Sequence, residues 1–169
     1  MKIQYLHASR FGNGARVAEE FRRLMDQCGI EVTVSHVKHA DGRRLPPADL
    51  YVFSSPGRFG GPIGGMRRFL KKAAFPSGAR YALVATELRP ASAKNTLEDT
   101  EPGKCQRVIP AMTDILQVRG LVKMAECKIF VTGMTGPLEA GWESKVADLA
   151  ATVLLDARSH AAPAGAAAR

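Results

Sequence analysis

The chain has 169 residues, 46% of them hydrophobic and 24% charged, which is enough for one domain with a full core and matches an ordinary globular composition. No apolar run is long enough to span a bilayer, and Lys2 is followed by too short an apolar run for a secretory signal, so a cytoplasmic location is expected. The net charge of +8 favours acidic partners and anionic ligands, but the basic pairs Arg22-Arg23, Arg43-Arg44, Arg67-Arg68 and Lys71-Lys72 are scattered and lack interleaved aromatics, which argues against specific nucleic-acid recognition.

Residues 2–8 read as a short apolar strand. Ser9-Arg10-Phe11-Gly12-Asn13-Gly14 follows, and residues 15–28 then show helical spacing at Val17, Phe21, Leu24 and Met25. A loop of this composition between strand and helix suits a phosphate: backbone N–H groups point outward, the helix N-terminus adds partial positive charge, and Gly12 and Gly14 permit close approach. Ser9 and Asn13 add side-chain donors and Arg10 a charge. The loop lacks the lysine of a P-loop and the G-x-G-x-x-G spacing of a dinucleotide site, which leaves a single phosphate. An ordinary βα turn would read the same way on these residues alone. Cys28-Gly29 ends the helix, and residues 30–37 alternate as a half-buried strand near a sheet edge.

Residues 38–47 are polar and end in Pro46-Pro47. The next strand, 49–55, holds the unbroken apolar run Leu50-Tyr51-Val52-Phe53, as expected of a central parallel strand covered on both faces. It enters a second glycine-rich loop, Ser54-Ser55-Pro56-Gly57-Arg58-Phe59-Gly60-Gly61-Pro62, ahead of a helix over 63–74. A fourth strand covers 79–86 and leaves through Glu87-Leu88-Arg89-Pro90. Residues 91–104 read as an exposed excursion whose Glu98, Asp99 and Glu101 match no metal-loop spacing. A helix over 106–118, a fifth strand over 126–133 and a last helix over 139–156 complete a single domain, 1–156, and residues 157–169 form an Ala- and Pro-rich tail expected to be disordered. The three cysteines have no C-x-x-C spacing; Cys28 and Cys127 read as packed apolar residues and Cys105 as the one candidate redox thiol. His36 and His39, three apart, read as a solvated turn, and His7 as a hydrogen-bonded strand end.

Five strands alternating with helices predict an α/β fold, a doubly wound five-stranded parallel sheet of order 2-1-3-4-5 with helices on both faces. Such sheets bind ligands outside the carboxyl ends of the strands at the switch point between the first and third strands, where both glycine-rich loops are expected to meet.

At these loops the chain resembles the flavodoxin family over roughly residues 2–155. Ser9–Gly14 is similar to that family's phosphate loop, usually Thr/Ser-x-Thr-Gly-Asn-Thr, with Gly12-Asn13 in register and Arg10, Phe11 and Gly14 departing from it. Ser54-Ser55-Pro56-Gly57-Arg58-Phe59-Gly60 is similar to the family's Gly-Ser-Pro-x-Tyr loop, with Arg58 or Phe59 where an aromatic flanks the flavin ring. The resemblance implies FMN as cofactor, its phosphate at Ser9, Arg10, Phe11, Gly12, Asn13 and Gly14 and its ring at Ser55, Pro56, Gly57, Arg58, Phe59 and Gly60. Thr86 and Glu87 of the third loop would close over the pyrimidine side, with Arg89 nearby favouring the reduced, anionic flavin. The flavin would carry the electrons, so no catalytic side chain and no metal is expected.

Two redox roles follow from the resemblance. One is an oxidoreductase taking electrons from NAD(P)H to a quinone or other small acceptor; a menaquinone-linked protoporphyrinogen dehydrogenase of the same fold is slightly similar around Arg58-Phe59-Gly60. The other is electron transfer to a redox protein partner. A flavin-free protein-binding module of the same fold is the reading from a different class. Flavodoxin-fold reductases are often dimers, so a homodimer stays open.

Overall fold

The computed structural model describes residues 1–89 and 107–161. Its strands are β1 (Lys2–His7), β2 (Glu31–His36), β3 (Leu50–Arg58), β4 (Gly61–Pro62), β5 (Arg80–Leu88) and β6 (Val122–Val131), and its helices are α1 (Asn13–Asp26), α2 (Gly64–Lys72), α3 (Val108–Val118) and α4 (Trp142–Ala161). The main strands pair in parallel in the order β2-β1-β3-β5-β6, which is the doubly wound order expected from the sequence. The addition is β4, a two-residue strand that folds back antiparallel on the end of β3.

The alternation of β3 explains the layering. Leu50 and Val52 face one side with Val17, Phe21 and Met25 of α1 and Val146, Leu149 and Val153 of α4. Tyr51 and Phe53 face the other with Met66 and Leu70 of α2 and Met112 and Leu116 of α3. Each of these side chains is almost fully buried, and each contributes roughly 1.5–3 kcal/mol relative to leaving it in water. Strand β2 is buried at Val32 and more open along the rest, as an edge strand should be.

Several boundaries depart from the sequence reading. β6 begins at Val122, four residues before the expected start, just after Gly120 turns the chain at φ +75°. Val122-Lys123-Met124-Ala125 has no period-two pattern because the ladder to β5 shifts register there, between Tyr81 and Ala82. The fourth helix starts at Trp142 and runs to Ala161, five residues past the expected end. Cys127 is buried as expected, but Cys28 is exposed, because it lies in the turn that follows α1 and not on its apolar face. The 91–104 excursion, its acidic trio and Cys105 lie outside the described residues. Among the described residues, no helix is long and apolar enough to cross a membrane.

Candidate functional site

The parallel register brings the carboxyl ends of β1, β3, β5 and β6 to one end of the sheet, and a cavity of about 510 Å³ opens there. Its walls come from four loops. The first supplies Ser9, Arg10, Phe11, Asn13 and Gly14; the second Pro56, Gly57, Arg58 and Phe59, with Ile63 behind them. Thr86 and Leu88 close one side, and Val131 and Met134 the other.

In the first loop, Gly12 takes φ +87°, a left-handed turn that puts the chain into α1 with no side-chain cap and no acidic residue in its first turn. No carboxylate of that first turn offsets the partial positive charge of the helix start. The Ser9 hydroxyl accepts a bond from the Gly14 N–H at 3.2 Å, which leaves its own proton to donate. A Cβ on Gly14 would come within 3.3 Å of Ser9 Cβ and 3.6 Å of Ser54 Oγ. Glycine at that position therefore lets helix, Ser9 and Ser54 close up. The Asn13 amide donates to the Thr135 carbonyl at 3.0 Å, and Gly136, at φ +120°, has no room for a side chain beside that amide. The loop after β6 is in this way fastened to the first loop.

The second loop, read from the sequence as long and glycine-rich, is a tight hairpin. Gly57 pairs with Pro62 and Arg58 with Gly61, and the two-residue tip, Phe59-Gly60, has both φ angles positive, at 50° and 77°. These are the signs of a type I′ hairpin turn. Ser55, fully buried, accepts a bond from the Ile63 N–H and so holds the hairpin base to the start of α2. Phe59 is 96% exposed, with the Arg58 guanidinium over its ring at 5.1 Å. The Arg10 guanidinium lies over the Phe11 ring at 5.4 Å.

The sequence-predicted residues therefore separate. Ser9, Arg10, Phe11, Asn13, Gly14, Pro56, Gly57, Arg58, Phe59 and Thr86 line the cavity together. Gly12 and Gly60 shape its loops, and Ser55 supports it from beneath. Glu87 lies outside the lining: it is 1% exposed, accepts a bond from the Val108 N–H at the start of α3, and faces Lys128 at 3.5 Å. Arg89 is also turned away, bonded to Glu139 at 3.0 Å and stacked over Phe130. Ile63, Leu88, Val131 and Met134 also line the cavity and were not among the residues expected there. Leu88 and Val131 end their strands at the carboxyl edge, so the switch-point rule already pointed to them; Met134 carried no signal. Trp142 packs in the core with Arg16 over its ring, away from the cavity lining.

No protein-family model matches the chain, and no curated protein matches it in sequence. Solved structures do. Oxidised flavodoxin 1 from Bacillus cereus superposes at a TM-score of 0.71 with 16% identity, over 92% of this chain and 98% of that one. The fold is flavodoxin-like. A WrbA-like flavodoxin from Agrobacterium tumefaciens follows at 0.65, with 14% identity over 94% and 98% of the two chains. The rubredoxin oxygen:oxidoreductase of Desulfovibrio gigas matches at 0.71 with 12% identity; it covers 96% of this chain, which spans little more than a third of that enzyme, 37% of its length.

The cradle of this flavodoxin-like domain fits the FMN of the resemblance at its phosphate end. The N-cap position of α1 is a glycine with no side chain to bond the first turn, no carboxylate stands in that turn, and Ser9, packed against Gly14, retains a donor proton. Among the described residues, the cavity lining carries two guanidiniums and no carboxylate, which suits an anionic group. The cavity is also walled by Phe11, Phe59, Leu88, Val131 and Met134, an apolar lining suited to a planar ring system.

Behind the cradle sit two histidines. His7 Nδ1 accepts from the Ser9 N–H at 3.3 Å, and His36 Nε2 lies 3.2 Å from the Ser9 carbonyl. Because His36 Nδ1 accepts from the Lys38 N–H, Nε2 carries the proton and donates to Ser9. Burial, and secondarily the neighbouring His36, hold the pKa of His7 below the usual imidazole range. Glu139 anchors the loop after β6. Burial works to raise its pKa, but bonds from Lys145, the Phe130 N–H and Arg89 outweigh that and leave its carboxyl below the ordinary value. Three histidines come near one another, with His36 and His39 ring centroids 5.8 Å apart, yet the described residues hold no metal-binding group of three ligands.

Proposed function

We propose that this chain binds FMN in the four-loop cavity and acts as a redox protein, taking electrons from NAD(P)H and passing them to a quinone or other small acceptor. The observation that carries the reading is the meeting, at one cavity, of a glycine-bearing helix start with no carboxylate in its first turn and an apolar slot. Bound there, FMN would supply the electron chemistry, so the chain's own residues bind, orient and exclude water. Ser9 and the first-turn amides of α1 hold the phosphate, and Arg10 adds charge. Pro56, Gly57 and the hairpin tip border the ring, and Thr86 offers a polar atom at its edge. Arg58 and Arg10 favour anionic ligands entering the mouth, a nicotinamide dinucleotide among them. A cytoplasmic setting fits the free thiols of Cys28 and Cys127.

A second reading, electron exchange with a protein partner, is favoured by the mouth itself. Phe59 and Met134 are 96% and 88% exposed at its rim, a large apolar display for a site that closed only on small molecules. The deciding experiment is an absorbance spectrum after adding excess FMN and desalting. Retained flavin bands that bleach with NADH or NADPH support the oxidoreductase; retained bands that bleach only with a chemical reductant favour the partner reading; no retained flavin refutes both.

A further inference from the structure

The positive charge of this chain is concentrated in one stretch of the sequence. Residues 38–72 contain eight Lys and Arg against two Asp, a net +6 of the chain's +8. One of those two, Asp49, is at the opposite end of the sheet, where it accepts the Lys2 N–H. A groove of about 820 Å³ runs between the loop after β2 and α2, with Lys38 and Arg43 on one wall and Arg68 and Lys72 on the other. None of these four makes an ion pair with a described carboxylate. Asp41 also lines the groove, its Oδ1 accepting the Arg43 backbone N–H, so the four cations there face one carboxylate.

The fold holds these charges together against their repulsion. Arg68 and Lys72 are four apart on one helix face, a like-charge spacing that destabilises a helix. The loop is pressed onto that helix: the Ala74 N–H donates to the Gly42 carbonyl at 2.7 Å. A Cβ on Gly42 would meet Phe69 and Ala73 at 3.3 Å. The basic face also adjoins the cofactor cavity. Ile63 lines the cavity and Arg68 the groove, about 7.5 Å apart at the rise of an α-helix. Between them Arg67 reaches the hairpin, its Nη2 lying 2.9 Å from where a Cβ on Gly61 would stand. An exposed apolar centre beside exposed, unpaired cations is the anatomy of an electrostatically steered protein interface.

We infer that the loop after β2 and α2 form the docking surface for an acidic protein partner, seated so that the exposed rim of the cavity, Phe59 foremost, lies at the centre of the contact. Docking stands on this charge and geometry alone; electron exchange through it rests on the FMN reading above. Long flexible cations, all exposed, give little grip on a small ligand but add up over a broad acidic surface.

The test uses a dye-labelled plant-type [2Fe–2S] ferredoxin, a small acidic electron-transfer protein, titrated with the full chain and read by fluorescence anisotropy. Binding is expected at about 20 mM salt and should weaken about tenfold or more by about 200 mM. Arg43→Glu/Arg68→Glu/Lys72→Glu should weaken it about thirtyfold or more at low salt and flatten the salt dependence. The milder Arg43→Gln/Lys72→Gln should fall between, and Arg43→Lys/Arg68→Lys/Lys72→Arg should match the parent. Lys2→Glu/Arg22→Glu/Lys123→Glu makes the same change in net charge on other surfaces and should cost less than about threefold. No binding by the parent chain, equal losses in the two triple-reversal variants, or tighter binding of a single-stranded oligonucleotide than of the ferredoxin would overturn the inference. FMN affinity, titrated on the same samples, should be unchanged in every variant. Failure of the parent to bind FMN would sink the flavin reading and leave the docking result standing.

Discussion

Replacing Ser9 by alanine separates a phosphate cradle from an ordinary turn. In the free chain the hydroxyl accepts one bond, from the Gly14 N–H at 3.2 Å. That donor is only part-buried and can turn to water when the hydroxyl is gone, so stability should fall by no more than about 0.5–1.5 kcal/mol. With a phosphate present, the lost interaction is a hydroxyl donating to an anion, worth about 1.5–3 kcal/mol. FMN affinity should therefore fall about 10- to 150-fold. Riboflavin, which has the ring and no phosphate, should lose less than about threefold, because the ring end of the cavity lies against Pro56, Gly57 and Phe59. Ser9→Thr, which keeps the hydroxyl, should restore most of the FMN affinity. Fluorescence titration of both flavins measures this directly. An unchanged FMN affinity in Ser9→Ala, or equal losses for FMN and riboflavin, would refute the assignment of this loop to phosphate.

Phe59→Gly relieves a left-handed backbone at a tip whose ring is almost wholly in water; the urea midpoint should hold or rise, by no more than about 1 kcal/mol, while flavin affinity falls, and a clear loss of stability would show that the ring packs in the free chain. Glu139→Ala removes the acceptor for Phe130, Lys145 and Arg89 together and should cost about 2–4 kcal/mol in urea unfolding; because the folded pKa of Glu139 lies below its unfolded value, its contribution is present above that unfolded value and is lost as pH falls through the folded one. His7 has a folded pKa depressed below the unfolded imidazole value of about 6.5, so its contribution is complete above that pH and declines as pH drops beneath it; unfolding midpoints compared at about pH 7.5 and pH 5.5 should fall further for the parent chain than for His7→Asn, and parallel falls would remove His7 from the pH response.

The period of apolar residues and the punctuation by glycine and proline were enough to determine the layered parallel sheet, its strand order and the end of it at which the four-loop cavity opens. Those features follow from local physics: Leu50-Tyr51-Val52-Phe53 buries both faces wherever it is placed, and right-handed crossovers leave few orders for five strands. The first loop was legible as a glycine-bearing turn before an amphipathic helix, whereas the second folds into a hairpin through the pairing of Gly57 with Pro62 and Arg58 with Gly61. Tertiary structure alone decided which side chains from those loops share the cavity. Glu87 follows Thr86 directly, yet successive strand residues point to opposite faces, so Thr86 lines the cavity and Glu87 is taken by Val108 and Lys128. Arg89 was drawn off by Glu139, fifty positions away, and Asn13 was fastened to Thr135, 122 positions away. No local pattern encodes such pairings, because each depends on which strand ends the sheet sets side by side. The same holds for the basic groove: Arg43-Arg44 and Arg67-Arg68 read as scattered pairs along the chain, and one member of each, Arg43 and Arg68, came to line one groove only when Gly42 let the loop close against α2.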